Sequence, residues 1–496
     1  MESTASLQNE LAKSNRKVSR LSPNLYPLWR AEQARAAALR DDDRDAPPER
    51  LLQAVWLNQR ITREHLKTSD GRPVRVLHPG IWNHEAGPDF RDAVLQFGSN
   101  ALCVGDVEID LEPGCWRSHG HEGNPAYAKV LLHVVWDGTG KSALPTLALK
   151  AFLDAPLAEL AHWLGSETGK KLPGALAGQC AAPLKDLPAE TLAELLQQAA
   201  QVRLQGKAAQ IEARARQAGW EQALWEGLCA ALGYKHNVWP MRRLAELLPH
   251  LTAREKVPCE SAFPLQARLL GVSGLLPAEL SRKEAGADSH LRRIWDAWWR
   301  ERDRFSDMIL PRAAWRFNGL RPANHPQRRL ALVAHWRTDA SFVKRLEQWF
   351  TVSDAAPTPA DSLLKVLQVA DDDFWSWHWT FRSARLVKSQ PLLGAARVTD
   401  LAVNVLLPWF WARAVAGLNE PMRAIAEARY HAWPAAEDNS LLKLARERLL
   451  ATASPRTLRT AAQQQGLLQI VRDFCGQSDA LCTGCRFPEL VRSIGK

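Results

Sequence analysis

The 496-residue sequence lacks a long uninterrupted hydrophobic segment. Its most apolar run, Leu401 to Leu418, is broken by Asn404, Pro408 and Arg413, which predicts a buried helix rather than a membrane span. The N-terminus also lacks an apolar stretch, so no secretory signal is expected and the protein is predicted to be cytoplasmic, without a membrane partner. Only 8 cysteines occur, and in a cytoplasmic chain these are expected to be thiols or metal ligands rather than a disulfide framework.

The composition is that of a soluble globular protein. Hydrophobic residues make up 46% and charged residues 24%, which excludes a mainly disordered chain. A net charge of +10 favours a polyanionic partner such as nucleic acid, because Lys and Arg clusters release counterions at phosphates. An Arg- and Ala-rich composition with no nucleic-acid role explains the charge equally well. No feature identifies a protein partner.

Changes in periodicity along the chain predict an α+β protein with three parts. Residues 1–45 form a polar lead-in, partly disordered or helical, and residues 46–180 mix short strands with helices. A Gly- and Lys-rich stretch, Gly165 to Gly178, ends this α/β part. Residues 181–496 are predicted to form a large all-α region that ends in a cysteine cluster.

The α/β part contains an ordered series of predicted elements. A helix begins at Glu49, strands are predicted at Val74 to His78, Ala93 to Phe97 and Ala101 to Glu112, and a short helix through Lys129 leads to a strand at Val130 to Trp136. Along the third strand, apolar residues alternate with carboxylates, so that one face is apolar and the other carries Asp106, Glu108, Asp110 and Glu112.

Asp89 and Glu108 are the candidate ligands for a hard divalent cation, Mg²⁺ or Mn²⁺. Such an ion activates water for phosphodiester hydrolysis and is held by one or two carboxylates. Glu49 shares a helix face with apolar residues and is expected to point inward, although it equally suits a helix N-terminus. The competing interpretation is that the strand carboxylates simply solvate an exposed face.

This element order resembles the PD-(D/E)xK nuclease superfamily, whose fold is a restriction-endonuclease-like mixed sheet flanked by helices. Pro88 and Asp89 match the first half of its motif, Glu108 to Asp110 matches the second half except at the last residue, and Glu49 matches the helix acid. Asp110 stands where the superfamily has a lysine that orients the attacking water. The resemblance therefore implies that Lys129 or His121 takes over this role, or that the site is not catalytic.

Three histidines follow the carboxylates. His119 and His121 form an HxH pair in a predicted loop, and His133 lies on the next strand. They are candidate general bases or transition-metal ligands. A histidine on a buried strand is more typically a hydrogen-bonded core residue, which is the favoured interpretation of His133.

Two further features lie in the helical region. The loop from Gly319 to Arg329 predicts phosphate contact by Arg321, Arg328 and Arg329, but a structural corner fixed by prolines is the favoured interpretation. At the C-terminus a C-x6-C-x2-C pattern predicts a zinc or iron-sulfur site; its alternative is a set of metal-free thiols. The predicted ligands are Cys475, Cys482, Cys485 and, as the fourth, Cys180, with Cys259 as a substitute.

Several segments together resemble a bacterial family catalogued as domain of unknown function 2851. They include EAGPDF, GDVEIDL, AYAKVLLHVVW, GLRPANHPQRRLA and QGLLQIVRDFC, and the resemblance runs from about Glu49 onward. This resemblance implies no reaction.

The function expected from the carboxylate motif is a Mg²⁺- or Mn²⁺-dependent nuclease acting on DNA. The alternatives are a catalytically inactive nuclease fold that binds nucleic acid or protein, and a structural protein whose C-terminal cysteines bind zinc.

Overall fold

The computed structural model of the chain describes residues 21–38, 47–83, 86–138, 144–164, 182–234, 236–252, 261–282, 284, 289–352, 359–369, 371–452, 458–475 and 485–494. The chain forms two compact units. The first comprises Met1–Asp42, Ser166–Leu204 and Glu437–Lys496, and the second Asp43–Gly165 and Gln205–Ala436. Most of the predicted helical region thus belongs to the same unit as the strands.

A mixed β-sheet organises the second unit. Its strands are β1 Val74–His78, β2 Ile81–Trp82, β3 Phe90–Phe97, β4 Cys103–Asp110, β5 Val130–Val135 and β6 Thr146–Ala148. The order is β1-β3-β4-β5-β6, with β2 on β3. The β1–β3 and β3–β4 pairs are antiparallel, whereas β4–β5 and β5–β6 are parallel. Together with the many helices, this sheet confirms the predicted α+β class.

The alternation predicted for β4 places its two kinds of side chain on opposite faces. Val107 and Ile109 are buried in the hydrophobic core with residues of the helix Glu49–Asn58. Glu108 and Asp110 lie on the other face but are only 6% and 1% exposed. Because carboxylates are rarely buried without partners, these two do not simply solvate an exposed strand.

The pairing of β3 with β4 contains an irregularity next to these carboxylates. Phe90 pairs with Val107, but the register shifts before Ala93 pairs with Gly105. In between, Asp92 has a positive φ of 56°. Such a bulge bends the strand and leaves backbone donors for side chains to satisfy.

Helices make up most of the rest of the second unit. The helices are numbered along the whole chain, in which α1 is Leu25–Ala38 and α5 is Ala189–Ala218. Those of the second unit are α2 Glu49–Asn58, α3 Cys115–Ser118, α4 Leu157–Leu164, α6 Trp220–Leu232, α7 Val238–Thr252, α8 Phe263–Val272, α9 His290–Trp299, α10 Pro326–Thr338, α11 Phe342–Thr351, α12 Pro359–Leu367, α13 Ala395–Leu401, α14 Leu407–Ala416 and α15 Glu420–Ala432. A π-helical turn, Ala402–Leu406, joins α13 to α14. The run that the sequence predicted as a buried helix, Leu401 to Leu418, is helical and largely buried as far as Ala414, whereas Leu418 at its end is exposed.

The first unit contains α1 Leu25–Ala38, α16 Ser440–Leu450, α17 Ala461–Ile470 and α18 Phe487–Arg492, and the long helix α5 Ala189–Ala218 begins in it. The buried Tyr26 hydroxyl donates to Asp473 at 2.7 Å, which ties α1 to the chain after α17. None of the described helices combines the length and apolarity that crossing a membrane requires.

Tryptophan fills much of the helical interior. Trp336 and Trp409 are buried, and their indole N–H groups donate to the carbonyls of Leu367 and Trp220 at 2.8 and 2.9 Å. A buried indole needs such an acceptor. The high Trp content therefore serves core packing at these positions.

Candidate metal centre

Asp89 stands immediately before β3 and reaches across to β4. Its Oδ2 accepts a hydrogen bond from the backbone N–H of Ile109 at 3.0 Å. The β3–β4 pairing ends at Phe90 and Val107, so the carboxylate takes the place that a strand carbonyl would fill beside Ile109 N. The aspartate is thereby held against the middle of the carboxylate-bearing strand.

Glu108 makes the reciprocal contact. Its Oε2 accepts from the backbone N–H of Asp89 at 3.0 Å. The Asp89 carboxylate is therefore held by the backbone N–H of the residue after Glu108, and the Glu108 carboxylate is held by the backbone N–H of Asp89 itself. Two such bonds leave further oxygen lone pairs on both groups for another partner.

Helix α2 brings in the third acid. The Gln53 side-chain amide donates to Glu49 Oε1 at 3.1 Å and to Asp89 Oδ1 at 2.9 Å. Glu49 and Gln53 are one helical turn apart, so a single amide can bridge the helix acid to the strand acid. Gln53 was not identified from the sequence, although its i+4 spacing from Glu49 was a usable signal.

Burial and mutual repulsion raise the pKa values of these three carboxyls. Burial, with repulsion from Glu49, raises the pKa of Asp89 to about 7. Burial, with repulsion from Asp89, raises the pKa of Glu108 to about 9. The pKa of Glu49 is raised by burial and then by Asp110. Buried acids crowded in this way are typical of functional sites and of sites that receive a cation.

Asp110 ends β4 and contacts two histidines. Its Oδ2 lies 2.9 Å from His133 Nε2, and its Oδ1 lies 3.1 Å from His119 Nδ1. His133 is completely buried, and parallel pairing places it opposite Glu108. The favoured interpretation of His133 as a hydrogen-bonded core residue fits this geometry.

The loop after β4 positions His121 beside the carboxylates. Its Nε2 lies 3.2 Å from Glu108 Oε1. The ring stacks on Tyr127 with 4.0 Å between centroids, and the Trp116 ring meets it edge-on. Gly120, between the two histidines, has a φ of +71°, a conformation that glycine adopts without strain. Burial lowers the pKa of His121, which favours its neutral, ligand-competent form.

Two donor sets are therefore adjacent. The first, the carboxylate cluster, consists of Glu49, Asp89 and Glu108. The second, the histidine–aspartate cluster, consists of Asp110, His119 and His121, and offers one ligand atom from each residue, all within 4.8 Å of one another. Oxygen donors suit Mg²⁺ or Mn²⁺, whereas imidazole donors suit transition metals.

Lys129 lies away from the carboxylate cluster. The predicted helix before β5 is a single 3-10 turn, Pro125–Tyr127, capped by Asn124 as its sequence predicted. The backbone carbonyl of Lys129 accepts from Asp106 N, at the far end of β4. The side chain is exposed, and no contact with the carboxylates is found for it among the described residues. Of the two candidate replacements for the missing lysine, only His121 reaches Glu108.

The predicted phosphate-binding arginines have different positions. Arg321 is exposed. Arg328 and Arg329 are only 1% and 2% exposed, and their guanidinium groups donate to interior backbone carbonyls, including that of Leu392. Arg328 and Arg329 therefore stabilise interior backbone segments, and these two side chains are not presented to a phosphate.

The cysteine site stays a prediction. Cys475 and Cys485 are half-buried, and Cys485 Sγ lies 4.0 Å from the carbonyl oxygen of Phe474. Cys180, Cys259 and Cys482 lie outside the described residues.

Comparison with known proteins gives one match. Residues 49–439 match a protein family described as "Protein of unknown function (DUF2851)". No curated protein and no solved structure matches the chain.

Proposed function

The chain belongs to the DUF2851 family, whose description assigns no reaction, and we propose from the geometry of its carboxylates that it is a divalent-metal-dependent nuclease. In this proposal Asp89 and Glu108 hold Mg²⁺ or Mn²⁺, and Glu49 supports them. The fold around them is of the restriction-endonuclease type, and the substrate is a phosphodiester of DNA.

The convergence of three acids that are distant in sequence carries the proposal. Gln53 bridges Glu49 to Asp89, and Asp89 N donates to Glu108, so that helix α2 and strands β3 and β4 meet at one point. These are the positions that match the PD-(D/E)xK motif. Burial and mutual repulsion raise the pKa values of Asp89 and Glu108, so their clustering is unfavourable without a cation. A role in binding a cation would explain why they lie together.

The chemistry of the donor set fits phosphodiester hydrolysis. In that reaction a water oxygen bonds to phosphorus, the bond from phosphorus to the leaving oxygen breaks, and a proton from water ends on the leaving oxygen through solvent. A divalent ion at the carboxylates would supply the nucleophilic water and neutralise developing charge. The residues of the chain hold the ion: Asp89 is fixed by Ile109 N, and Glu108 by Asp89 N. The net charge of +10 favours a polyanionic substrate.

Cleavage of supercoiled plasmid DNA by the purified full chain with Mn²⁺ or Mg²⁺, and its loss in EDTA, tests the proposal. We expect Asp89→Asn and Glu108→Gln each to lower the rate by at least about 100-fold, since either change removes a ligand that acts in the transition state.

Matched variants control for charge and folding. Glu112→Gln is the same change at an exposed acid just beyond β4, and Asp106→Asn changes a buried acid of β4 that accepts from Asp92 N outside the cluster. Both should cleave at a near-normal rate. Unchanged cleavage in Glu108→Gln would refute the assignment. Salt-dependent DNA binding without any turnover would instead favour an inactive nuclease fold that binds nucleic acid.

A further inference from the structure

The histidine–aspartate cluster differs in chemistry from the acids beside it. Asp110 is an oxygen donor, but His119 and His121 are imidazoles, which Mg²⁺ rarely uses and which zinc-class ions prefer. We propose that Asp110, His119 and His121 form a second, separate metal site, which selects a borderline divalent ion such as Zn²⁺ over Mg²⁺.

The spacing of the donor atoms supports this assignment. Around a tetrahedral ion with bonds of about 2.0–2.2 Å, ligand atoms lie roughly 3.3–3.6 Å apart. His119 Nδ1 and Asp110 Oδ1 are 3.1 Å apart, and the whole set lies within 4.8 Å. The His119 side chain is 49% exposed, which leaves it room to turn and close the remaining gap. Three protein ligands also leave a coordination position for water, as in catalytic rather than structural zinc sites.

Neighbouring residues hold the ligands in place. His133 Nε2 lies 2.9 Å from the second oxygen of Asp110, so that this carboxylate can present its first oxygen to an ion. Tyr127 stacks on His121, and Trp116 packs against both His121 and His133. Outer partners of this kind orient metal ligands and change metal affinity by about 10–100-fold. His133 is therefore a positioning residue and not a ligand.

The second site also accounts for the missing lysine. Asp110 occupies the lysine position of the motif. A metal ion bound to Asp110 would place a positive charge where the superfamily has the lysine ammonium group. His121 Nε2 is 3.2 Å from Glu108 Oε1, so the two sites are adjacent and Glu108 faces both. This catalytic role rests on the proposed nuclease function, whereas metal binding by the cluster does not.

Binding of Co²⁺ to the metal-stripped full chain tests the site directly. Co²⁺ bound by imidazole nitrogens at low coordination number absorbs visible light strongly, and metal analysis after dialysis gives the stoichiometry. We expect His119→Ala and His121→Phe each to bind one Co²⁺ fewer than wild type after dialysis, because the Co²⁺ affinity of the histidine–aspartate cluster falls by at least about 100-fold. The phenylalanine preserves the ring that stacks on Tyr127, which guards against loss of folding. A large excess of Mg²⁺ should not displace the ion.

Two control variants and one spectroscopic signature separate the possible outcomes. His65→Ala removes an exposed histidine outside the cluster and should bind normally. Asp89→Asn should abolish cleavage but retain the Co²⁺ spectrum, so failure of the nuclease proposal and failure of this site are distinguishable. An ion at the cysteines would show thiolate charge-transfer absorption and would persist in both histidine variants. Wild-type stoichiometry and spectrum in His119→Ala and His121→Phe, or no Co²⁺ binding by wild type, would overturn the proposal.

Discussion

Replacing Asp89 by asparagine should stabilise the metal-free protein. Burial and the nearby Glu49 raise the pKa of Asp89 from 3.8 to about 7. Between these values the folded state keeps a proton that the unfolded state has released, so stability falls as pH rises from about 4 to about 7. Asparagine cannot ionise, and its Oδ1 can still accept from Ile109 N. The variant therefore does not lose this stability as the pH rises.

The size of the effect follows from the pKa difference. At about 1.4 kcal/mol per pKa unit, the change from 3.8 to about 7 sets a ceiling of about 4 kcal/mol above pH 7. Because Asp89 is not fully buried and solvent screens it, we expect about 1–2 kcal/mol at pH 8, and less at pH 5.

Urea unfolding in EDTA at both pH values, followed by tryptophan fluorescence, measures the difference. Added Mn²⁺ should stabilise wild type but not Asp89→Asn, because only an ion bound to the folded state shifts the equilibrium. Asp106→Asn serves as the control, since it alters a buried acid outside the cluster. If Asp89→Asn destabilises the metal-free protein at pH 8 as much as Asp106→Asn does, the electrostatic reasoning fails.

Three further substitutions test the second unit. Burial lowers the pKa of His78 to about 4, and its Nδ1 accepts from Gly80 N, so folded His78 stays neutral while unfolded histidine takes up a proton below about pH 6.5. His78→Asn keeps an acceptor and should recover about 2 kcal/mol of the stability lost at pH 5, measured by urea unfolding; an unchanged pH profile would contradict this. Arg329→Ala should destabilise by about 3 kcal/mol, because buried acceptors lose their donor, without changing the salt dependence of DNA binding. Arg321 is exposed, so Arg321→Ala should leave stability unchanged and lower the slope of the logarithm of the DNA-binding constant against the logarithm of salt concentration by about one. Equal slopes for the variant and wild type would show that Arg321 does not contact a DNA phosphate.

Local sequence patterns specify the secondary-structure elements and the candidate site residues. The period-2 alternation of β4 is a property of neighbouring residues, so the sequence predicts which side chains share a face. The same holds for the Asn124 cap and for the start of α2 at Glu49. Family membership also follows from sequence, because the distinctive segments are contiguous.

Only the tertiary structure decided which of these residues act together. Asp89, just before β3, accepts from the backbone of β4, and the packing of α2 lets Gln53 join it to Glu49; both contacts connect segments tens of residues apart. The parallel β4–β5 register places His133 opposite Glu108, where its ring reaches Asp110, and leaves Lys129 at the other end of β4.

The burial of Arg328 likewise depends on how α10 packs, which the basic composition of its loop does not reveal. Sequence periodicity specifies faces and elements because it reflects local backbone geometry. Convergence of charges and the choice between buried and exposed positions depend on the packing of distant segments, which no local pattern encodes.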